Sequence, residues 1–174
     1  MQMEPPEGGA ASLAAGVPSV VEKTPVSLLI VDDDEATRES IRLVFDDAFD
    51  ITGEERYVIQ EAGDGDEALA ILRASAEPLV VLLDELMPGL TGEEVLRAVL
   101  RDRCLRRRHV FILMSAVPHL SRRLRLQRLL RALSIKMLPK PFALEDLEQA
   151  IDRARQRLEN RSPFTWVPSR WRRF

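Results

Sequence analysis

The sequence predicts an α/β fold, a doubly wound five-stranded parallel sheet flanked by helices, and three observations predict it. Short, wholly apolar runs alternate with helical patterns along most of the chain. The runs end on residues that carry chemistry, as expected where an open sheet places its functional crevice. The length of 174 residues, 45% hydrophobic and 30% charged, suits one ordinary domain with a full core and tails.

Residues 1–25 are rich in Ala, Gly, Pro and Ser without a sustained period and read as a disordered leader. The first strand is Val26–Val31 (VSLLIV), a run buried on both faces, and it stops at Asp32, Asp33 and Asp34. A helix follows with Ile41, Val44, Phe45 and Ala48 at helical spacing. After a polar loop, Tyr57–Glu61 forms the second strand, and a Gly-Asp-Gly turn opens a helix carrying Ala68, Leu69, Ile71 and Leu72. The third strand, Leu79–Leu83, ends on Asp84. The loop MPGLTG follows, and Thr91 with Glu94 has capping-box spacing. The third helix therefore starts here and turns Val95, Leu96, Val99 and Leu100 to the core. An arginine-rich stretch, Arg101–Arg108, leads into the fourth strand, Val110–Met114, which ends on Ser115. A leucine–arginine helix spans Leu120–Leu133, the fifth strand is Ile135–Leu138, and the last helix is Leu144–Leu158. Residues 159–174 form a basic, aromatic tail with two tryptophans, read as packing on the domain or docking a partner.

Charge is segregated. Residues 1–100 hold 6 Lys and Arg against 22 Asp and Glu (−16), whereas residues 101–174 hold 19 against 6 (+13), for a net −3. The near-neutral total argues against nucleic-acid coating, and no segment reads as a dedicated DNA-binding module. No apolar run approaches the ~20 residues needed to span a bilayer, and no secretory signal is present. The single cysteine, Cys104, rules out an internal disulfide and fits a cytoplasmic setting. It is read as a bystander, and His109 and His119 as structural or surface residues.

Strand ends thus bring together Asp32, Asp33, Asp84, Ser115 and, after strand five, Lys140. Converging carboxylates repel unless a hard cation sits among them, and Mg²⁺ suits one or two carboxylates plus phosphate oxygens. A lysine pairs with a phosphoryl group as a point charge, and a hydroxyl hydrogen-bonds its oxygens. The chemistry indicated is phosphoryl transfer to an aspartate.

Five fragments carry a resemblance: LLIVDDDEATRES, YVIQEAGDGDEAL, VVLLDELMPGLTGEEVL, VFILMSA and LPKPF, in this order. They are similar to the receiver domain of bacterial two-component response regulators over residues 26–158. The resemblance implies strand order 2-1-3-4-5, the flavodoxin-like arrangement, and a cytoplasmic signalling protein that is not an enzyme. Position by position it implies Asp84 as phosphoacceptor, and Mg²⁺ held by Asp32, Asp33, Asp84 and the backbone carbonyl of Leu86. Ser115 and Lys140 would contact the phosphoryl group, across a cis Lys140–Pro141 bond. The implied donor is a phosphohistidine on a sensor histidine kinase or phosphotransfer protein. With a tail too short for a helix-turn-helix output domain, the sequence reads as a stand-alone receiver acting through an unknown protein target. Met137 stands where the family usually has an aromatic switch residue. Leu86 and Val117, two past Asp84 and Ser115, are apolar and position no hydrolytic water. Asp34 and Glu35 are read as helix-starting residues, and Glu85 and Asp64 as solvent-facing. Arg122, Arg125 and Arg128 mark a candidate partner face, with a homodimer through the leucine–arginine helix, strand five and the last helix. The competing readings are a pseudo-receiver scaffold acting without phosphorylation and an aspartyl phosphatase. Retention of Asp33, Asp84, Ser115 and Lys140 weighs against the first. Leu86, in place of a second aspartate, weighs against the second.

Overall fold

In a computed structural model of the chain, residues 25–46, 56–116 and 124–161 are described. Strands β1 (Val26–Val31), β2 (Tyr57–Ala62), β3 (Val80–Asp84), β4 (Val110–Ser115) and β5 (Lys136–Pro139) form one sheet in the order β2-β1-β3-β4-β5. Every pairing is parallel. Successive residues of the central strands face opposite layers, which explains their unbroken apolar character. Leu29, Val31, Val81 and Leu83 join one cluster, with Leu69 and Leu72 of α2 (Gly65–Ala74) and Val95 and Leu96 of α3 (Gly92–Arg101). Leu28, Ile30, Val80 and Leu82 join the other, with Ile41 and Phe45 of α1 (Glu35–Asp46) and Leu147 and Ile151 of α6 (Leu144–Arg161).

The expected helix starts are built as the sequence spells them. Asp64 caps α2 by accepting from the Glu67 N–H at 2.8 Å. Thr91 and Glu94 close a reciprocal capping box on α3. Several expectations need correction. Val44 is exposed, because the core face of α1 is set by Ile41 and Phe45 alone among its described residues; Ala48 lies outside the described residues. The stretch after α3 is not merely a connector: Asp102 accepts from the Cys104 and Leu105 N–H groups and starts a short helix, α4 (Arg103–Arg108), which buries Leu105. The leucine–arginine helix is described from Leu124 to Leu133, as α5, while Val117, His119 and Arg122 lie outside the described residues. Helix α6 continues to Arg161, past the expected end at Leu158. Of the expected tail 159–174, residues 159–161 belong to α6 and 162–174 lie outside the described residues, as do residues 1–24 of the expected leader 1–25. Among the described residues no helix is long and apolar enough to cross a membrane.

His109 has the structural role anticipated, and its surroundings give it a pH signature. It is 1% exposed; its Nδ1 accepts from the Leu79 N–H at 3.2 Å, so Nε2 carries the proton and donates to the Leu72 carbonyl at 3.1 Å. Burial, with nearby Arg108, lowers its pKa from 6.5 to about 4. The fold holds the ring neutral while the unfolded chain protonates it. Stability from this group is therefore complete above pH 6.5 and lost as pH falls toward 4, by about 3 kcal/mol in all. Imidazole NMR resonances should titrate near pH 4; a midpoint near 6.5 would refute the buried neutral ring.

Candidate functional site at the carboxyl ends of β1 and β3

The chain winds outward from β1 to β2, then crosses back so that β3 lies on the other side of β1. The crevice outside such a switch point is where open α/β sheets bind ligands. Asp32 follows β1 directly and Asp84 is the last residue of β3, so the two carboxylates flank this point. Both are buried, at 2% and 6% exposure.

Lys140 joins them. Its Nζ lies 2.6 Å from Asp32 Oδ2 and 2.5 Å from Asp84 Oδ1. The backbone places it: β5 runs beside β4 with Ser115 opposite Pro139, and the Lys140 N–H donates to the Ser115 carbonyl at 2.7 Å. The Lys140–Pro141 bond is cis. The Leu86 N–H donates to Asp84 Oδ2 at 2.9 Å, so each Asp84 oxygen is fixed by a separate donor.

These contacts set the electrostatics. Burial raises the Asp84 carboxyl above the usual aspartate range, Lys140 pulls it back, and the neighbouring Asp32 raises it again. For Lys140, burial works to lower the ammonium, but hydrogen bonds to Asp32 and Asp84 outweigh it and hold the group above the usual lysine range. Two buried carboxylates against one ammonium leave surplus negative charge, which only a further cation or a proton can offset.

Of the other expected residues, Ser115 is buried at the end of β4 and Asp33 is exposed beside Asp32. Leu86 is half exposed. Met137 faces Leu113 in register on β5, partly buried. Asp34 is exposed and starts α1: it accepts from the Ala36 and Thr37 N–H groups, and with the Thr37 hydroxyl these bonds keep its carboxyl low. Asp64 is exposed as expected, but Glu85 is buried rather than solvent-facing, because its backbone is pinned between β4 and α3. Arg125 and Arg128 are exposed on α5. Among the described residues no three acidic, histidine or cysteine side chains gather closely enough to hold a metal by themselves.

Two residues escaped the sequence reading. Arg38 reaches back one turn, its Nη1 donating to the Asp32 carbonyl at 2.9 Å and its Nε to Glu61 Oε2 at 3.2 Å, and so clamps the acidic turn between β1 and β2. Gly92 packs against the backbone of Asp84 and donates its N–H to the Glu85 carbonyl at 3.1 Å. Only its place in a loop with two glycines hinted at this.

Comparison with known proteins agrees with this geometry. The family model described as a response regulator receiver domain matches residues 28–152. The chain is 39% identical over 123 residues to response regulator MprA of Mycolicibacterium vanbaalenii, covering 71% of this chain and 47% of that protein. It is 37% identical over 139 residues to response regulator MprA of Mycobacterium sp. strain KMS, covering 80% and 53%. The chain thus spans about half the length of these curated relatives. Among solved structures, the chemotaxis protein CheY4 of Vibrio cholerae superposes with a TM-score of 0.59 at 24% identity, over 75% of this chain and 99% of that one. A receiver domain protein from Clostridium thermocellum does so with 0.61 at 23% identity, over 78% and 98%. These two likenesses show the shared fold. The chain belongs to the response regulator receiver domain family, the modules of two-component signalling.

Proposed function

We propose that this domain is a phosphorylation switch in which Asp84 accepts a phosphoryl group from a phosphohistidine on a sensor histidine kinase or phosphotransfer protein. The observation that carries the reading is the Lys140 ammonium held between two buried carboxylates at the sheet's switch point. Burial makes the Asp84 carboxylate more basic and hence a better nucleophile, while the Leu86 N–H and Lys140 fix its two oxygens. As an Asp84 oxygen attacks phosphorus in line, the bond to the donor imidazole nitrogen breaks and its electron pair stays with the ring. The Lys140 ammonium turns from carboxylate to the equatorial phosphoryl oxygens and offsets their charge. The Ser115 hydroxyl, at the end of the neighbouring strand, donates to one of the same oxygens.

The donor set is all hard oxygen, and its surplus negative charge fits Mg²⁺: the carboxylates of Asp32, Asp33 and Asp84 and the Leu86 carbonyl would hold it. When bound, the ion supplies charge neutralisation at the phosphoryl oxygens. On this reading the domain is a cytoplasmic signalling module modified at its own site, not an enzyme that turns over a substrate. Its output passes through contacts with a target protein, and the exposed arginines of α5 with β5 and α6 offer the face for a partner or a second copy. Met137 leaves the usual aromatic switch without its ring, so structural change in β4 and β5 should be smaller than in aromatic-bearing relatives; amide shift changes of equal size would count against this.

Beryllofluoride with Mg²⁺, or a small acyl phosphate donor, should give a one-to-one adduct that Asp84→Asn abolishes. A protein that stays unmodified with every donor offered would instead be a scaffold of receiver shape. Leu86 gives the acyl phosphate no side chain that orients an attacking water, so the modified form should be long-lived. A half-life of seconds in purified protein would overturn that expectation.

A further inference from the structure

Asp32 stands just past the end of β1, and each of its polar groups has a partner. Its N–H donates to the Ala62 carbonyl at 3.2 Å, which carries the parallel ladder one residue beyond β1. Its Oδ1 accepts from the Asp34 N–H at 3.1 Å and its Oδ2 from Lys140 Nζ at 2.6 Å. The Asp32 carbonyl is the group that the sheet does not serve. A continued ladder would bring it an N–H from a further residue of β2, but that strand ends at Ala62. The Gly63 N–H turns to Glu67 Oε2 at 2.8 Å, and Asp64 caps α2. Arg38, one turn into α1, supplies the missing donor through Nη1 at 2.9 Å. The guanidinium is itself held. Its Nε donates to Glu61 Oε2 at 3.2 Å, and Arg42 Nε lies 3.3 Å from Glu61 Oε1, so one glutamate of β2 is braced by two arginines a turn apart.

We propose that Arg38 is a positioning residue for the acceptor site: by holding the Asp32 main chain, it keeps the Asp32 carboxylate in place for Lys140 and for Mg²⁺. This role rests on the phosphorylation switch proposed above, and it falls to a residue whose own contacts are a carbonyl and a glutamate. The planar fork suits it, because one N–H is fixed on the Glu61 carboxylate while another is aimed at the carbonyl. A lysine, a point charge on a flexible stem, holds no such pair of directions. Outer groups that orient a metal's ligands commonly set its affinity by about 10–100-fold. The charge of Arg38 works the other way, because a cation beside a cation site repels the ion. Orientation and charge therefore predict opposite signs when Arg38 is removed, and orientation is the larger effect.

The test titrates Mg²⁺ into the full chain, with no phosphodonor present, and follows the amide NMR resonances of Asp33 and Leu86. Arg38→Met should raise the Mg²⁺ midpoint about tenfold. The Mg²⁺ needed for half-maximal beryllofluoride adduct should rise by the same factor, while the one-to-one plateau stays in place. Arg42→Met removes the same charge a turn away but leaves the Arg38 fork on Asp32; its midpoint should equal the parent's or fall below it. Arg38→Lys keeps the charge and the packing of the stem but loses the fork, so its midpoint should rise too, and it carries the test if Arg38→Met does not fold. A merely structural role would lower the melting temperature and leave the midpoint where it was. A midpoint equal to or below the parent's in either folded Arg38 variant overturns the proposal. An equal rise in Arg42→Met would show that α1 as a whole, not the fork on Asp32, sets the midpoint, and also overturns it. A parent that takes up neither Mg²⁺ nor beryllofluoride overturns the phosphorylation switch and the role of Arg38 with it; a parent that takes up both, with Arg38 variants that match it, overturns the role of Arg38 alone.

Discussion

Replacing Lys140 with Met should slow phosphorylation of the protein about a hundredfold, the usual cost of losing one aimed donor at a charged reaction centre. The same change should destabilise the fold at neutral pH. Asp32 and Asp84 are 2% and 6% exposed and share this one ammonium, so its loss leaves two buried carboxylates facing each other without a counter-charge. Breaking a fully buried pair costs about 3–5 kcal/mol; the Lys140 side chain is 23% exposed, and solvent screening brings the expected loss to about 2 kcal/mol. The loss should shrink as pH falls. Burial already raises the Asp84 carboxyl, and in the variant it binds a proton more readily still, which removes the repulsion. Asp84→Asn behaves differently, because it leaves one lysine facing one aspartate. It should abolish the adduct yet change stability by less than about 1 kcal/mol, and adding it to Lys140→Met should restore most of the lost stability. Urea unfolding of the four proteins at pH 7 and pH 5 separates these outcomes. Equal stability of parent and Lys140→Met at pH 7 would mean that Lys140 does not bridge the carboxylates in solution.

That bridge shows where the sequence was legible. The apolar runs named the central strands to within a residue, and the chemically odd residues at their ends named Asp32, Asp84, Ser115 and Lys140. A strand buried on both faces advertises itself, and so does the aspartate that ends it. Helix faces were less legible. In α1, Val44 follows the helical period but lies on the solvent side, since a spacing rule does not fix which of two adjacent apolar residues turns inward. Helix α4 was missed because four arginines conceal one buried leucine, and its only local signal is the capping Asp102. Glu85 was misread because its polarity suggested solvent, whereas its backbone is tied to Met114 on one side and Gly92 on the other. Arg38 acts on Asp32 through a main-chain carbonyl, a contact for which residue type carries no signature. Residues that work through backbone atoms are hard to find in a sequence, and the glycine behind Asp84 is the sharpest instance.

Gly92→Ala should therefore damage the site without adding or removing a functional group. A Cβ at this position would overlap the carbonyl oxygen of Asp84 and stand 3.1 Å from both the Asp84 carbonyl carbon and the Glu85 Cα. Every one of these atoms is backbone, so no side chain can swing aside; either β3 shifts at its end or the start of α3 moves away. Since the Gly92 N–H donates to the Glu85 carbonyl and Thr91 caps the helix, moving α3 also strains the capping box. Forcing a methyl into close-packed backbone should cost about 1–3 kcal/mol. A displacement of Asp84 by a large fraction of an ångström should slow phosphorylation by up to about a hundredfold. Gly89 is the control: its φ of +72° favours glycine, but a Cβ there meets nothing within 4 Å. Gly89→Ala should thus lose about 1 kcal/mol through its backbone conformation alone and keep a normal beryllofluoride adduct. If Gly92→Ala forms the adduct as well as Gly89→Ala does, the close approach of α3 does not position the acceptor, and Asp84 is held by Lys140 and the Leu86 N–H alone.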